Sequence, residues 1–459
     1  MKKNNFTRRI IWTLVLGLGV GLGFIFLRET LIGNGNASLW KQINDLLFAD
    51  ILHESNPTAI GIFFIIGQIF MRLLQLVLVP LIFTSIVRSI QQIQETRVLN
   101  KLAKKGFANF MQLLAIAIIL ASTTGFTAYK LGVFQISNLS AIEITEGVVN
   151  QTNPLSMILN AFNNNALGTL SSNSNIIAVV VLALIVGVMS QQLGEKMEVL
   201  PKLVDEIYLL SMKLLDLVIM KFGPIAIFCL LVRTLASYGI DYLQPALIYM
   251  ILTSLTLLVL GFAVFPIFIA FKTGLSPLPF IKKMYKVAVF GFSTSSSAAT
   301  LPLTQETVMN ELGVDESVAS FIVPLASTIN MTGTAVMQII ATLFVASVAG
   351  YHVGIIELIS IILLTIIGSI STPAAPGSGA ILLFTILTGM GYTNQYALAA
   401  YSFILAINRP VEMLVTAINV VDDGVSAVCV AHDLEQLDLK IYHEFPQALQ
   451  SEEQVLVKS

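Results

Sequence analysis

Asn408, Arg409, Glu412, Thr416, Asn419, Asp422 and Asp423 interrupt an apolar run at about 396–431. An ionisable group at mid-bilayer costs about 2.5–3.5 kcal/mol on insertion scales, so its retention there calls for a use. Asn408, Glu412, Thr416, Asn419 and Asp423 follow in steps of four, four, three and four, which gathers them on one helix face. Such a stripe either bonds a neighbouring helix or reaches water at a helix end, or it serves a bound solute or ion.

A second interruption, Asn330-Met331-Thr332-Gly333-Thr334, falls inside the run from Ile322 to Val348. Asn and Gly are poor helix interior, and local unwinding there would expose main-chain carbonyls. Carbonyls, the Asn330 amide oxygen and a carboxylate such as Asp423 are hard ligands suited to a small hard cation, with sodium the natural candidate. An Asn-Gly break alone is more often a kink; its combination with the stripe points to a site.

Two further stretches are rich in small residues. Phe292 to Pro302 contains Ser293, Thr294, Ser295, Ser296, Ser297 and Thr300, and Ser371-Thr372-Pro373-Ala374-Ala375-Pro376-Gly377-Ser378-Gly379 follows later. Both read as hairpin tips rather than lipid-facing helix. Paired broken segments in one region are the usual pointer to an inverted-repeat binding site at the bilayer midplane.

The elements that must hold these groups are membrane spans. Of 459 residues, 56% are hydrophobic and 11% charged, and mean hydropathy is +0.84, far from a soluble domain. Hydropathy predicts spans near 9–27, 58–90, 106–132, 175–192, 206–235 and 242–271, each long enough to cross about 30 Å of hydrocarbon. Interrupted runs follow at about 287–303, 317–349, 354–390 and 396–431. Lys2, Lys3, Arg8 and Arg9 put the N-terminus inside; Arg88, Arg97, Lys101, Lys104, Lys105 and Lys282, Lys283, Lys286 mark cytoplasmic loops. The segment 133–174 has Glu143 and Glu146 but no Lys or Arg, as an external loop should. The basic N-terminus precedes an uncleaved first span rather than a signal peptide.

Other classes find little support. A net charge of −2 with no basic, aromatic-interleaved patch speaks against nucleic acid. Cys229 and Cys429 lie apart in apolar runs, and His53, His352, His432 and His443 have no ligand spacing. Gly17, Gly19, Gly21 and Gly23 lie inside the first span, where helix packing explains them better than phosphate binding. No hydrolase motif is present, so a membrane enzyme is disfavoured. A passive ion channel with hydroxyl-rich filters stays open.

The residues resemble the dicarboxylate/amino acid:cation symporters, which include the bacterial and mammalian glutamate transporters. The likeness runs from Phe70-Met71-Arg72-Leu73-Leu74 with Pro80 through the serine-rich tip, Asn330-Met331-x-Gly333-Thr334 and Pro376-Gly377-x-Gly379 to Asn419 with Asp423. It implies an all-α membrane protein, a homotrimer with eight transmembrane helices and two re-entrant hairpins, in which a transport core slides like an elevator. On that plan residues 1–105 hold the first two scaffold helices, 106–174 the third helix and external loop, and 175–280 helices four to six. Residues 281–435 form the transport core with both hairpins, and 436–459 a cytoplasmic tail. The expected location is the cell membrane, amid lipid, with both termini cytoplasmic.

The resemblance also assigns roles. Asn330, Asn419 and Asp423 match side-chain ligands of one sodium site, sodium being the coupling ion and no cofactor being expected. Thr332 stands where sodium-coupled glutamate carriers have Asp, and Ile116 and Ala117 stand at a Thr-Ser pair, so a further sodium site of that kind is expected to be absent. Glu412 replaces an Asp that binds the substrate's amino group; Val415 replaces an Arg that pairs with a side-chain carboxylate. Loss of that bidentate partner implies a neutral amino acid, the alternative being acidic amino acids or C4-dicarboxylates with sodium or protons. Thr416, Asn419, Ser295, Ser296, Ser297 and Thr334 would complete the substrate site. Ala375, Pro376, Gly377 and Gly379, on the hairpin that would act as the outer gate, would also bind substrate, and Arg409 could serve an anion if it turned inward.

Overall fold

Backbone groups in hydrocarbon must find partners within their own segment, and the chain accordingly is almost entirely helical. A computed structural model describes residues 2–52, 56–91, 97–135, 162–171, 176–238, 243–374 and 376–444. Most of the expected external loop and of the terminal tail lies outside them. The sole β pairing among the described residues is one antiparallel bridge, Val314 to Leu437.

In order, the helices are α1 (Lys2–Gly33), α2 (Ala37–Leu47), α3 (Ile62–Gln91), α4 (Arg97–Lys130), α5 (Ala166–Leu170), α6 (Ile176–Leu193), α7 (Val199–Leu217) and α8 (Gly223–Tyr238). There follow α9 (Leu243–Val259), α10 (Phe265–Thr273), α11 (Leu278–Thr294), α12 (Ser297–Asn310), α13 (Glu316–Ile329) and α14 (Thr332–Val348). The last are α15 (Ile355–Ile370), α16 (Ser378–Gly389), α17 (Gln395–Ile407), α18 (Arg409–Asp433) and α19 (Leu439–His443). π-Turns at Val218–Phe222 and Leu260–Val264 join α7 to α8 and α9 to α10. Each lies just ahead of a proline, Pro224 or Pro266, whose missing N–H removes a ladder bond.

Seven helical stretches among the described residues are long and apolar enough to cross a membrane. Eight spans were expected; the fourth, at 175–192, appears as α6, which falls among the shorter apolar helices with α15, α16 and α17. A further difference concerns the run 396–431, which is two helices, α17 and α18, separated at Asn408. Pro410 sits in the first turn of α18, where its missing N–H and fixed φ suit a helix start.

Two large apolar clusters organise the fold, with a third, small one at Phe48, Val232 and Ala236. One of the large pair joins α3, α6, α7 and α8 and receives Ile381 and Leu382 from α16. The larger gathers α4, α9, α12, α13, α14, α17 and α18. Buried on all sides within it, α14 carries one polar row, Thr334, Gln338 and Thr342, from which Gln338 donates to Gly379 O. The helix packs on α4, α9, α16 and α18. Two helical hairpins, α11–α12 and α15–α16, bring their tips together beside it: the Ser296 hydroxyl donates to Ala374 O at 3.1 Å and Ala298 N–H to the same oxygen at 3.4 Å.

Lys283 of α11 ties α19 to the end of α12. Its ammonium donates to the carbonyls of Glu311, Ile441 and Tyr442 at 2.7, 2.8 and 2.8 Å. Lys286 pairs with the Glu311 carboxylate.

Candidate functional site

The polar stripe of α18, the break before α14 and the two tips meet around one cavity. Its wall takes Ser295 and Ser297 from the first tip, Met331, Thr334 and Met337 from the break and α14, Thr372, Pro373, Ala374, Gly377, Ser378 and Gly379 from the second tip, and Glu412, Val415, Thr416 and Asn419 from α18. Its volume is about 30 Å³, room for one or two waters, so a solute can enter only if the wall moves.

Both tips end in helix N-termini. Ser295, in the left-handed region at φ 49°, turns the chain; its buried hydroxyl has no hydrogen-bond partner. The side chain of Ser296 accepts from Ala299 N–H and caps α12. Ser296, expected to contact substrate, is therefore absent from the cavity wall, because its oxygen is used in the cap and in the seam to Ala374. Gly377, at φ +81°, supplies the left-handed turn that starts α16, a conformation only glycine adopts freely. Pro376 is also absent from the wall, and Ala375 lies outside the described residues. The first turns of α12 and α16 thus face the cavity with the positive ends of their dipoles.

Glu412 answers them with the cavity's one carboxylate. It receives the Ala380 N–H of α16 and stands 3.7 Å from Arg409. Arg409 lines an adjoining, mostly apolar hollow with Phe70, Leu74, Ile219 and Leu405, which shares Gly377 and Glu412 with the cavity. Arg409 is not among the residues of the cavity wall and reaches it through Glu412. Asn408, the head of the stripe, is also diverted: its amide oxygen accepts from the Tyr249 hydroxyl at 2.7 Å.

Deeper in, α14 and α18 touch through backbone. Gly333 N–H donates to Asn419 Oδ1 at 2.8 Å, and Asn419 Nδ2 donates to Thr334 Oγ1 at 3.2 Å. A Cβ on Gly333 would lie 2.9 Å from Val415 O, so this approach requires glycine. The main-chain ladder stops with Asn330 N–H to Ala326 O and resumes with Ala335 N–H to Met331 O. Carbonyls of residues 327–330 are left outside it, as the Asn-Gly signal predicted.

Three buried side-chain oxygens beside this break lack hydrogen-bond partners: Asn330 Oδ1, Asp422 Oδ1 and Asp423 Oδ1. Among the described residues neither aspartate has an ion pair, though Asp422 is 0% and Asp423 1% exposed. Unpaired buried carboxylates are strongly disfavoured, and hard oxygen donors suit sodium; the residues present fit such an ion. Asn419 can join them through the second lone pair of Oδ1.

The family model for the sodium:dicarboxylate symporter family matches residues 6–433. The chain belongs to that family. Family members are transporters, and this chain is a helical multi-pass membrane symporter rather than an enzyme. It is 25% identical over 411 residues to an "Excitatory amino acid transporter" of Caenorhabditis elegans, covering 80% of each chain. It is 25% identical over 391 residues to the "Proton/sodium-glutamate symport protein" of Bacillus caldotenax, covering 82% of this chain and 89% of that one. With the "Proton/glutamate-aspartate symporter" of Escherichia coli (strain K12) it shares 24% identity over 432 residues, covering 92% and 96%.

Residues that sequence reading missed are Met331, Met337, Thr372, Pro373, Ala374 and Ser378. Met331 sits in the break already singled out, whereas Met337 carried no signal, since a thioether in an apolar helix looks like core. The other four lie within the second tip already singled out, and only its fold tells which of them face inward.

Proposed function

We propose that the protein is a sodium-coupled symporter for an α-amino acid with an uncharged side chain. The observation that carries this is the charge pattern of the cavity: one carboxylate, Glu412, faces two helix N-termini and a set of hydroxyls, and no lysine or arginine lines it. A zwitterion matches that pattern, its ammonium at Glu412 and its carboxylate at the first turn of α12 with Thr416 and Asn419. Val415 presents a hydrocarbon surface where a second carboxylate would need a cation. Asn330, Asn419 and Asp423 would hold sodium, supplying the charge compensation that Asp423 lacks.

In this reading the hairpins α11–α12 and α15–α16 are re-entrant and the second is the outer gate. The α4–α9–α14–α18 body moves as an elevator against the α3–α6–α7–α8 body. The assembly is a homotrimer in the cell membrane with cytoplasmic termini. The gathering of most α3, α6, α7 and α8 core residues in one apolar cluster and of those of α4, α9, α14 and α18 in another supports such a division of labour.

Acidic amino acids form a second reading, favoured by the relatives' printed names, which specify glutamate and aspartate. Uptake of labelled amino acids and C4-dicarboxylates into proteoliposomes, with and without an inward sodium gradient, separates the two. Gradient-driven accumulation of a neutral amino acid is expected; accumulation of aspartate alone would overturn the Val415 reading, and indifference to sodium would overturn the coupling ion.

A further inference from the structure

Asp422 is adjacent to Asp423 on α18, and at 3.6 residues per turn neighbouring side chains point about 100° apart. The two carboxylates therefore address different places. Asp422 turns to the break before α14, where Thr332 Oγ1 donates to its Oδ2 at 2.5 Å. The Asn330 amide also interacts with this carboxylate, while its nitrogen donates to Ser426 Oγ at 3.3 Å. Both Asp422 Oδ1 and Asn330 Oδ1 remain without a donor, and Asn330 is only 2% exposed.

One cation held around Asp423 would leave Asp422 buried and uncompensated, since no Lys, Arg or His pairs with it among the described residues. Such a charge is costly in a low-dielectric interior unless a counterion is present. The neighbouring donors are all hard oxygens: a carboxylate, a hydroxyl, an amide oxygen, and the carbonyls of residues 327–330 that the break leaves outside the helical ladder.

We infer that Asp422, with Thr332 and Asn330, forms a second sodium-binding position separate from that of Asp423. Thr332 of α14 supplies the hydroxyl and the opposite helix, α18, the carboxylate, joined by the hydrogen bond that Thr332 donates to Asp422. The inference rests on sodium being the coupling ion.

The test is equilibrium binding of radiolabelled sodium to the purified full-length protein in nanodiscs without substrate. Wild type should hold two ions per chain, Asp422→Asn one and Asp423→Asn one. The exchange Asp422→Asn with Thr332→Asp should restore two by moving the carboxylate across the pair. Thr332→Val, which keeps side-chain shape, should weaken one of the two ions at least tenfold, and it decides the matter if Asp422→Asn fails to fold. An ion count unchanged by both Asp422→Asn and Thr332→Val would overturn the Asp422 position while leaving sodium coupling intact. A wild type that binds no sodium would overturn both.

Discussion

Replacing Glu412 by Gln keeps the side chain's size and removes its charge. Among the described residues the carboxylate is the only ionisable group on the cavity wall; in the proposed complex it bonds the substrate ammonium. A hydrogen bond to a charged group contributes about 1.5–3 kcal/mol net, and 1.4 kcal/mol is a factor of ten. Affinity for the amino acid should therefore fall roughly 10- to 150-fold. The change also deprives Arg409 of its partner at 3.7 Å, so Glu412→Gln is compared with the double variant Arg409→Gln/Glu412→Gln. Isothermal titration of the purified protein with the amino acid and with its 2-hydroxy analogue isolates the ammonium contact. The analogue has no amine, and its affinity should move less than threefold. Equal losses for both ligands, in proteins of equal thermal stability, would refute the assignment of Glu412 to the amine.

Gly333→Ala should push α14 from α18, because the new methyl would lie 2.9 Å from Val415 O and 3.0 Å from Asn419 Oδ1. At about 1–3 kcal/mol for overpacking, sodium affinity should fall about tenfold or more in a thermal-shift titration. Ser295→Gly relieves a left-handed residue at φ 49° and should raise stability by about 1 kcal/mol, while removal of the hydroxyl weakens substrate binding. Lys283→Met removes three carbonyl contacts to the segment around α19. Allowing about 3 kcal/mol for them together, amide exchange at Leu439–His443 should quicken roughly 100-fold with substrate affinity unchanged.

Local signals made much of this architecture legible. The 3.6-residue period exposed the α18 stripe, the Ser- and Pro-Gly-rich runs gave both tips, and Asn330-Gly333 gave the broken helix. Contacts distant in sequence were harder to read. Ser296 looks like its neighbours Ser295 and Ser297 until the tip folds and spends its oxygen on a cap. Arg409 lies three residues from Glu412, yet only packing tells that it enters a different hollow. Asp422 stood off the stripe and gained no role, since its partner Thr332 is 90 residues away. Pro410 could have announced the break at Asn408, but the apolar run on both sides hid it.

The second tip, residues 371–379, contains no ionisable side chain, and its seam to the first tip is made by a hydroxyl and an amide on Ala374 O. Opening it displaces no full charge through the membrane field, which acts on each elementary charge with about 2.3 kcal/mol per 100 mV. Opening of this tip as the proposed outer gate would thus be electrically silent. Any voltage dependence of transport has to arise from the coupling ions and the buried carboxylates of α18, so presteady-state charge movements should report ion occupancy while remaining blind to the lid.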